Sequence, residues 1–191
     1  LAQFMVILDV AIVNVALPSI ANDLNFAPDN LQWVITAYTL TFGGFLLLGG
    51  RAADIFGRRR IFIYSVIAFV IMSFLCGIAQ TEAQLIIARA AQGLAAAIMS
   101  PAALSIVLSE FREGKERNKA MGVWAAVGAG GAAAGVLLGG ILTQYLNWRW
   151  NFFVNVPVGI MVTIGAMKLL PHHIGEEGKK IKLDMPGAIL A

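Results

Sequence analysis

Two charged residues lie inside long apolar stretches of the sequence, and their surroundings limit the chemistry they can do. Asp9 is the first, with apolar residues on both sides. A carboxylate well inside a membrane-spanning helix costs about 2.5–3.5 kcal/mol, so it should face protein or water. The low dielectric there favours the neutral, protonated carboxyl group, which is what a proton carrier needs. The alternative is a position near the inner interface, where water would hydrate Asp9.

Arg89 is the second embedded charge, and it begins a polar stripe. Small and polar residues follow it at offsets of three, four, seven and eleven, which places them on one face of a helix. They are Gln92, Gly93, Ala96 and Ser100. The alternative is that Arg89 extends its charged end to the outer interface, as long basic side chains do.

Helix geometry predicts how deep these groups lie in a membrane. Counted from the outer helix ends, Arg89 lies roughly 8 Å deep, Asn14 roughly 12 Å and Asp9 roughly 20 Å. The difference in depth predicts that Arg89 contacts the region from Asn14 to Pro18. A direct pair between Arg89 and Asp9 is not expected.

The elements that carry these residues follow from composition and length. Of the 191 residues, 59% are hydrophobic and 13% charged, and the mean hydropathy is +0.77. One soluble core cannot hide so much apolar surface, which predicts an all-α integral membrane protein. Runs of roughly 20 apolar residues fit spanning helices and are too long for barrel strands. Six are predicted, at about residues 1–22, 31–51, 61–80, 84–109, 118–146 and 151–170.

Basic residues predict the orientation of these helices. The turns after the second, fourth and sixth segments hold twelve Lys and Arg, whereas those after the first, third and fifth hold only Arg149. Because basic residues stay in cytoplasmic loops, these even turns and both ends are predicted to be cytoplasmic. The same bias accounts for the net charge of +3 without a nucleic-acid partner.

The segments repeat in character at intervals of three helices. The first and fourth each hold a charge and a proline, the second and fifth are rich in glycine, and the third and sixth carry aromatics. Two inverted three-helix repeats produce this order, as in many secondary transporters. We expect the third helix of each repeat to face lipid. Its aromatic residues are Phe62, Phe69, Phe74, Phe152 and Phe153.

Three glycines in the fifth segment recur at every fourth position, at Gly131, Gly135 and Gly139. This spacing gives a smooth helix face that another helix can approach closely. A phosphate-binding glycine loop is excluded, because no strand precedes the run and no Lys follows it. The glycines therefore predict helix packing.

The last part of the chain changes character. Residues 1–170 are predicted to form one six-helix bundle, 171–182 a cytoplasmic linker and 183–191 the start of a truncated seventh helix, with Asp184 as its N-cap. His172 and His173 in the linker supply too few ligands for a metal ion. Cys76 stands alone, so neither a metal site nor a disulfide is predicted.

The turn between the second and third segments, from Gly49 to Arg60, holds four of the fourteen Lys and Arg. Its pattern Gly50-x-x-x-Asp54-x-x-Gly57-Arg58-Arg59 matches the signature turn of the major facilitator superfamily. Three further ordered matches are Leu8-Asp9-x-x-Ile12-Val13-Asn14-x-Ala16-Leu17-Pro18, Arg89-x-x-Gln92-Gly93 and Trp148-Arg149-Trp150-x-Phe152-x-x-Asn155-x-Pro157. The chain resembles the N-terminal half of such a transporter, most closely the fourteen-helix drug:proton antiporters of the EmrB/QacA type.

This resemblance implies proton-driven alternating access, in which Asp9 carries protons and Arg89 positions the cavity wall. The predicted proton-coupling and substrate-cavity residues are Asp9, Asn14, Tyr38, Arg89 and Gln92. In such families the signature aspartate docks on the other half, so Asp54 would meet a partner in the missing C-terminal half. The predicted inner gate consists of Gly50, Asp54, Gly57, Arg58 and Glu110, with Arg58 paired to Glu110.

Two positions depart from the family pattern. Val136 follows Gly135 where the antiporter motif of the fifth helix usually has proline, which removes a kink from the expected gating helix. Ile55 stands where a basic residue commonly follows the signature aspartate.

The function predicted is a proton-coupled multidrug efflux antiporter of the bacterial inner membrane. Its partners would be lipid, protons and a small amphipathic substrate, with the proton gradient in place of any cofactor. Tyr38 and Trp33 favour amphipathic drugs. One alternative is a proton-coupled transporter of a specific metabolite or siderophore, and another is a non-transporting receptor or scaffold. An enzyme is not expected, because H-E-x-x-H and G-x-S-x-G are both absent from the sequence.

Overall fold

The computed structural model of the chain describes residues 1–111 and 113–170, and within these it contains six helical segments long and apolar enough to cross a membrane. The predicted number of helices is confirmed. The predicted linker and seventh helix, residues 171–182 and 183–191, lie outside the described residues. We call the six segments the first to sixth spans: Ala2–Asp23, Pro28–Phe56, Arg58–Ile78, Glu82–Glu110, Lys115–Tyr145 and Trp150–Leu169.

Local sequence explains where several spans begin and end. Gly57 separates the second and third spans with a φ of 93°, a backbone conformation that L side chains rarely adopt. Thr81 caps the fourth span by accepting a hydrogen bond from the Gln84 N–H at 3.3 Å. The sixth span consists of two helices, Trp150–Phe153 and Asn155–Leu169, which meet at Val154.

The largest interfaces join the second span to the fourth and the first span to the fifth. Exchanging two three-helix repeats would interchange these two pairs, so their similar size agrees with the predicted repeat. The third span packs mainly against the fourth and sixth. One apolar core lies towards the end of the bundle that holds Ala53, Phe62 and Ile106. A second core lies towards the opposite end, which holds Ile20 and Leu85.

The expectation that the third helix of each repeat faces lipid is wrong for most of its aromatic residues. Phe62, Phe69 and Phe152 are buried, whereas Phe74 is exposed. The fourth and sixth spans cover the third span, which buries Phe62 and Phe69, and Phe152 of the sixth span packs against Trp148. The second and fifth spans instead present the more open faces of the described bundle, including Leu40, Leu47, Val136 and Leu137.

Candidate functional site

Asp9 and Arg89 form an ion pair at the centre of the bundle. One Arg89 guanidinium nitrogen donates to Asp9 Oδ2 at 2.6 Å. The two residues are only 0% and 1% exposed, so the pair is removed from solvent and from lipid. The prediction that Arg89 contacts the Asn14 to Pro18 region instead of Asp9 is therefore wrong. Backbone depth alone left out the reach of the arginine side chain, which places its charge several ångströms from its own Cα.

Two amide side chains complete the surroundings of the Asp9 carboxylate. Gln92 Nε2 donates to Asp9 Oδ1 at 2.9 Å, and Asn155 Nδ2 donates to the same oxygen at 2.8 Å. The Arg89 guanidinium also donates to Gln92 Oε1 at 2.7 Å, which orients the Gln92 amide. Three donors from the fourth and sixth spans thus bind Asp9, and hydrogen bonds to an ionised acceptor are the stronger kind.

Arg89 is held by further contacts from the second span. Its Nε donates to the Val34 carbonyl at 3.1 Å, and its guanidinium lies 4.2 Å from the centroid of the Tyr38 ring. A cation over an aromatic face is stabilised by the ring quadrupole. The predicted site residue Tyr38 therefore contacts the charge pair through its ring, while its buried hydroxyl group has no hydrogen-bond partner in the described part of the chain.

The third span contributes two small polar side chains. Ser73 Oγ accepts from Asn155 Nδ2 at 3.1 Å and donates to the Phe152 carbonyl at 2.9 Å. The Cys76 thiol lies 3.6 Å from Gln92 Oε1 and is buried. We call Asp9, Arg89, Gln92, Asn155 and Ser73 the carboxylate cluster.

Sequence reasoning missed Asn155 and Ser73 as members of this cluster. Asn155 appears in a matched motif, and its position beside Pro157 in an apolar run was the available signal. Ser73 carries no such signal. Asn14, which was predicted to join the site, is exposed and donates to the Val10 carbonyl of its own helix at 2.7 Å. The structure therefore brings together Asp9, Tyr38, Arg89 and Gln92 but leaves Asn14 apart.

Glycines set the helix approach that positions the cluster. A Cβ added at Gly131 would lie 2.9 Å from the Phe4 carbonyl oxygen, and one at Gly135 would lie 2.9 Å from that of Leu8. Gly139 repeats the pattern against Ile12 at 3.1 Å. The predicted close packing is confirmed. The pairs advance together by four residues, so the first and fifth spans run parallel, as two odd-numbered spans of a multi-pass bundle must.

The turn between the second and third spans differs from the prediction in its ion pairing. Arg58 pairs with Asp54, four residues earlier, at 3.3 Å, so the predicted pair between Arg58 and Glu110 is wrong in this structure. Asp54 lies at the end of the second span and Arg58 at the start of the third, so the short turn at Gly57 itself brings the two side chains together. A Cβ added at Gly50 would have only the Pro101 side chain within 4 Å among residues 1–111 and 113–170, at 3.7 Å.

Arg59 makes a longer connection from the same turn. Its guanidinium donates to the carbonyls of Met167 and Leu170, each at 2.9 Å. These carbonyls lie at the end of the sixth span, where helical carbonyls lack partners and a cation is favourable. The turn is thereby joined to the end of the bundle.

The opposite end of the bundle has its own polar contacts. Arg149 donates to Asp23 at 3.2 Å and to the carbonyls of Gly77 and Ala79 at the end of the third span. The Trp148 indole donates to the same aspartate at 2.9 Å. The first, third and sixth spans are therefore joined at this end.

A cleft of about 430 Å³ opens beside the cluster, between the first, second, fourth and fifth spans. Tyr38 and Phe42 stack on its wall with ring centroids 6.1 Å apart. Gln3 and Ser100 supply polar atoms and are hydrogen bonded to each other at 3.3 Å. None of the residues lining this cleft is charged.

A family model described as the Major Facilitator Superfamily matches residues 1–188. The chain belongs to this superfamily. The prediction from the four motifs is thereby confirmed, and the chain is a multi-pass membrane protein of a transporter superfamily.

Relatives within the superfamily carry names connected with drug resistance and export. The puromycin resistance protein of Streptomyces alboniger is 51% identical over 189 residues, which is 99% of this chain and 37% of that protein. The cephamycin export protein of Amycolatopsis lactamdurans is 45% identical over 190 residues, covering 100% of this chain and 39% of that protein. The chain thus spans less than half the length of these relatives.

A solved structure supports the fold. It is a bacterial homologue of the human lysosomal transporter Spinster, in an inward-facing, unoccupied conformation. The match has a TM-score of 0.69 and 22% identity, and it covers 87% of this chain and 40% of that one. The described six-helix bundle therefore has the architecture of a major facilitator half.

Proposed function

We propose that the protein containing this chain is a proton-coupled exporter of small amphipathic compounds that works by alternating access. The carboxylate cluster carries the proposal. A charge pair buried among five membrane-spanning helices is costly, and a functional role accounts for its presence. Arg89, Gln92 and Asn155 bind ionised Asp9, and protonation would weaken the attraction to Arg89. Proton binding would thereby change the contacts that hold the first, fourth and sixth spans together.

The uncharged cleft supports an amphipathic substrate. Stacked Tyr38 and Phe42 offer an aromatic surface, and Gln3 and Ser100 offer a few hydrogen-bonding atoms. Mostly apolar walls with few polar groups are typical of sites for small organic molecules. The names of the relatives, which refer to puromycin and cephamycin, agree with this class of compound.

The remaining parts of the proposal concern the whole protein. The proton gradient supplies the energy, with no cofactor, and the chain is no enzyme. The membrane is the bacterial inner membrane, with the basic turns and both ends of the described bundle in the cytoplasm. Further helices, beyond this bundle, supply the other wall of the substrate cavity and a partner for Asp54.

Ethidium efflux from efflux-deficient bacterial cells tests this proposal. The full-length gene is expressed as wild type, Asp9→Asn and Asp29→Asn, and ethidium retention is compared at several external pH values. Asp9→Asn should lose pH-dependent efflux. Asp29 is an exposed residue in the first turn of the second span, so Asp29→Asn should behave as wild type. Unchanged efflux by Asp9→Asn at equal expression would refute the role of Asp9, and no efflux by wild type would refute drug export.

A further inference from the structure

Asn155 is bonded on one side of its amide group and unbonded on the other. Its Nδ2 donates to Asp9 Oδ1 at 2.8 Å and to Ser73 Oγ at 3.1 Å, so both amide hydrogens have acceptors. Its Oδ1 is buried and has no hydrogen-bond partner among the described residues. A buried carbonyl oxygen without a donor is uncommon and calls for an explanation. The donors of Asn155 are therefore arranged for an ionised Asp9, while its acceptor is unused.

Protonation of Asp9 reverses what this carboxyl group needs from its neighbour. An ionised carboxylate only accepts hydrogen bonds, whereas a protonated one also donates. Rotation of the Asn155 amide by half a turn exchanges Nδ2 and Oδ1, which brings an acceptor to the protonated carboxyl group. The one side chain can thus satisfy both states of Asp9.

Ser73 extends this exchange to the backbone of the sixth span. Its hydroxyl group now donates to the Phe152 carbonyl at 2.9 Å and accepts from Asn155. With the amide rotated, Asn155 presents Oδ1 to Ser73, and the hydroxyl hydrogen is drawn away from Phe152. This carbonyl lies just before Val154, where the two helices of the sixth span meet.

We infer that Asn155 is a positioning residue that sets how readily Asp9 takes up a proton and passes the protonation state of Asp9 to the break in the sixth span. This inference rests on the proposed function. The other ionisable side chains facing Asp9 in the described residues are Arg89 from the fourth span, Tyr38 from the second and Cys76 from the third. Arg89 holds the carboxylate from the side opposite Asn155, on Oδ2.

The test compares Asn155→Leu with Asn151→Leu in the full-length protein. Asn151 is a matched control, because it too is a fully buried asparagine of the sixth span with an unpartnered Oδ1, but it donates to Thr143 and not to Asp9. Ethidium transport is followed in everted membrane vesicles as a function of pH. Loss of a donor to the ionised carboxylate favours its protonated form, so the pH midpoint of Asn155→Leu should rise by about one unit, or about 1.4 kcal/mol. Asn151→Leu should keep the wild-type midpoint.

A spectroscopic readout separates this inference from the proposed function. In pH-difference infrared spectra of the purified protein, the carboxyl band that disappears in Asp9→Asn belongs to Asp9. That band should shift in Asn155→Leu and stay in place in Asn151→Leu. If Asp9→Asn transports like wild type, the proposed function fails, while the band still decides whether Asn155 binds Asp9.

Two results would overturn the inference: an unchanged midpoint and band in Asn155→Leu, or equal shifts in both leucine variants. Should Asn155→Leu fail to reach the membrane, Ser73→Ala supplies the second variant, because it removes the acceptor that holds the Asn155 amide without touching Asp9. Its midpoint should move in the same direction by a smaller amount. A wild-type midpoint in Ser73→Ala would remove the proposed route to the sixth span.

Discussion

Replacing Arg89 with glutamine should destabilise the protein more than almost any other single substitution in the bundle. The change removes the only donor to Asp9 Oδ2 among the described residues, together with the bonds to Gln92 Oε1 and the Val34 carbonyl. The negative charge of Asp9 then remains buried at 0% exposure. Breaking a buried ion pair in this way costs about 3–5 kcal/mol.

The reciprocal change should be similarly costly, and combining the two should be less costly than their sum. Asp9→Asn leaves the charge of Arg89 unpaired, whereas Asp9→Asn/Arg89→Gln leaves two neutral amides. In thermal unfolding of the purified full-length protein in one detergent, we expect both single variants to unfold below the double variant. The exposed pair of Asp54 and Arg58 is the matched control, where the same substitutions should cost about 0–1 kcal/mol.

Additivity would refute this reasoning. If the lowering of the thermal midpoint in the double variant equals the sum of the two single effects, the residues do not act as a pair. A single variant that unfolds at the wild-type temperature would also contradict the pairing, because neither charge has another ionised partner in the structure described.

Two further predictions concern glycines. Gly135→Ala should destabilise the protein by about 1–3 kcal/mol through overpacking, because its Cβ would lie 2.6 Å from that of Ala11. Gly140→Ala should unfold like wild type, because no described atom lies within 4 Å of its added Cβ. Equal thermal midpoints for the two variants would contradict the packing argument. Gly57→Ala should cost roughly 1–3 kcal/mol in backbone strain at a φ of 93°, measured by the same thermal unfolding. Gly50→Ala is the control and should be tolerated. If the Gly57→Ala and Gly50→Ala variants have the same thermal midpoint, the argument from backbone strain at Gly57 is refuted.

The number and approximate limits of the spans could be predicted, because length and apolar composition dominate both. The close packing of the fifth span was predicted for a similar reason. A glycine at every fourth position produces a smooth face in any straight helix, and Gly131, Gly135 and Gly139 all meet the first span. The periodicity of glycine along one helix was therefore enough to predict this helix packing.

The pairing of side chains from different helices could not be predicted in the same way. Arg89 contacts Asp9 because the length of the arginine side chain and the relative placement of the two helices make up for the difference in backbone depth. Neither effect can be predicted from the sequence of a single helix. Asn155 joins them from 146 residues away. The Arg58 prediction failed for a different reason: it overlooked Asp54, which lies four residues away across the turn and pairs with Arg58 in place of the distant Glu110.

The wide sequence separations in the carboxylate cluster have a consequence for biogenesis. Asp9 is synthesised 80 residues before Arg89, which at roughly 5–20 residues per second is a wait of about 4–16 s. During that interval the first span carries a carboxyl group with no counter-charge, so its transfer alone into the lipid bilayer is unfavourable. We expect the insertion machinery to retain the first span until the fourth arrives, so that the nascent chain leaves for the bilayer as a group of helices.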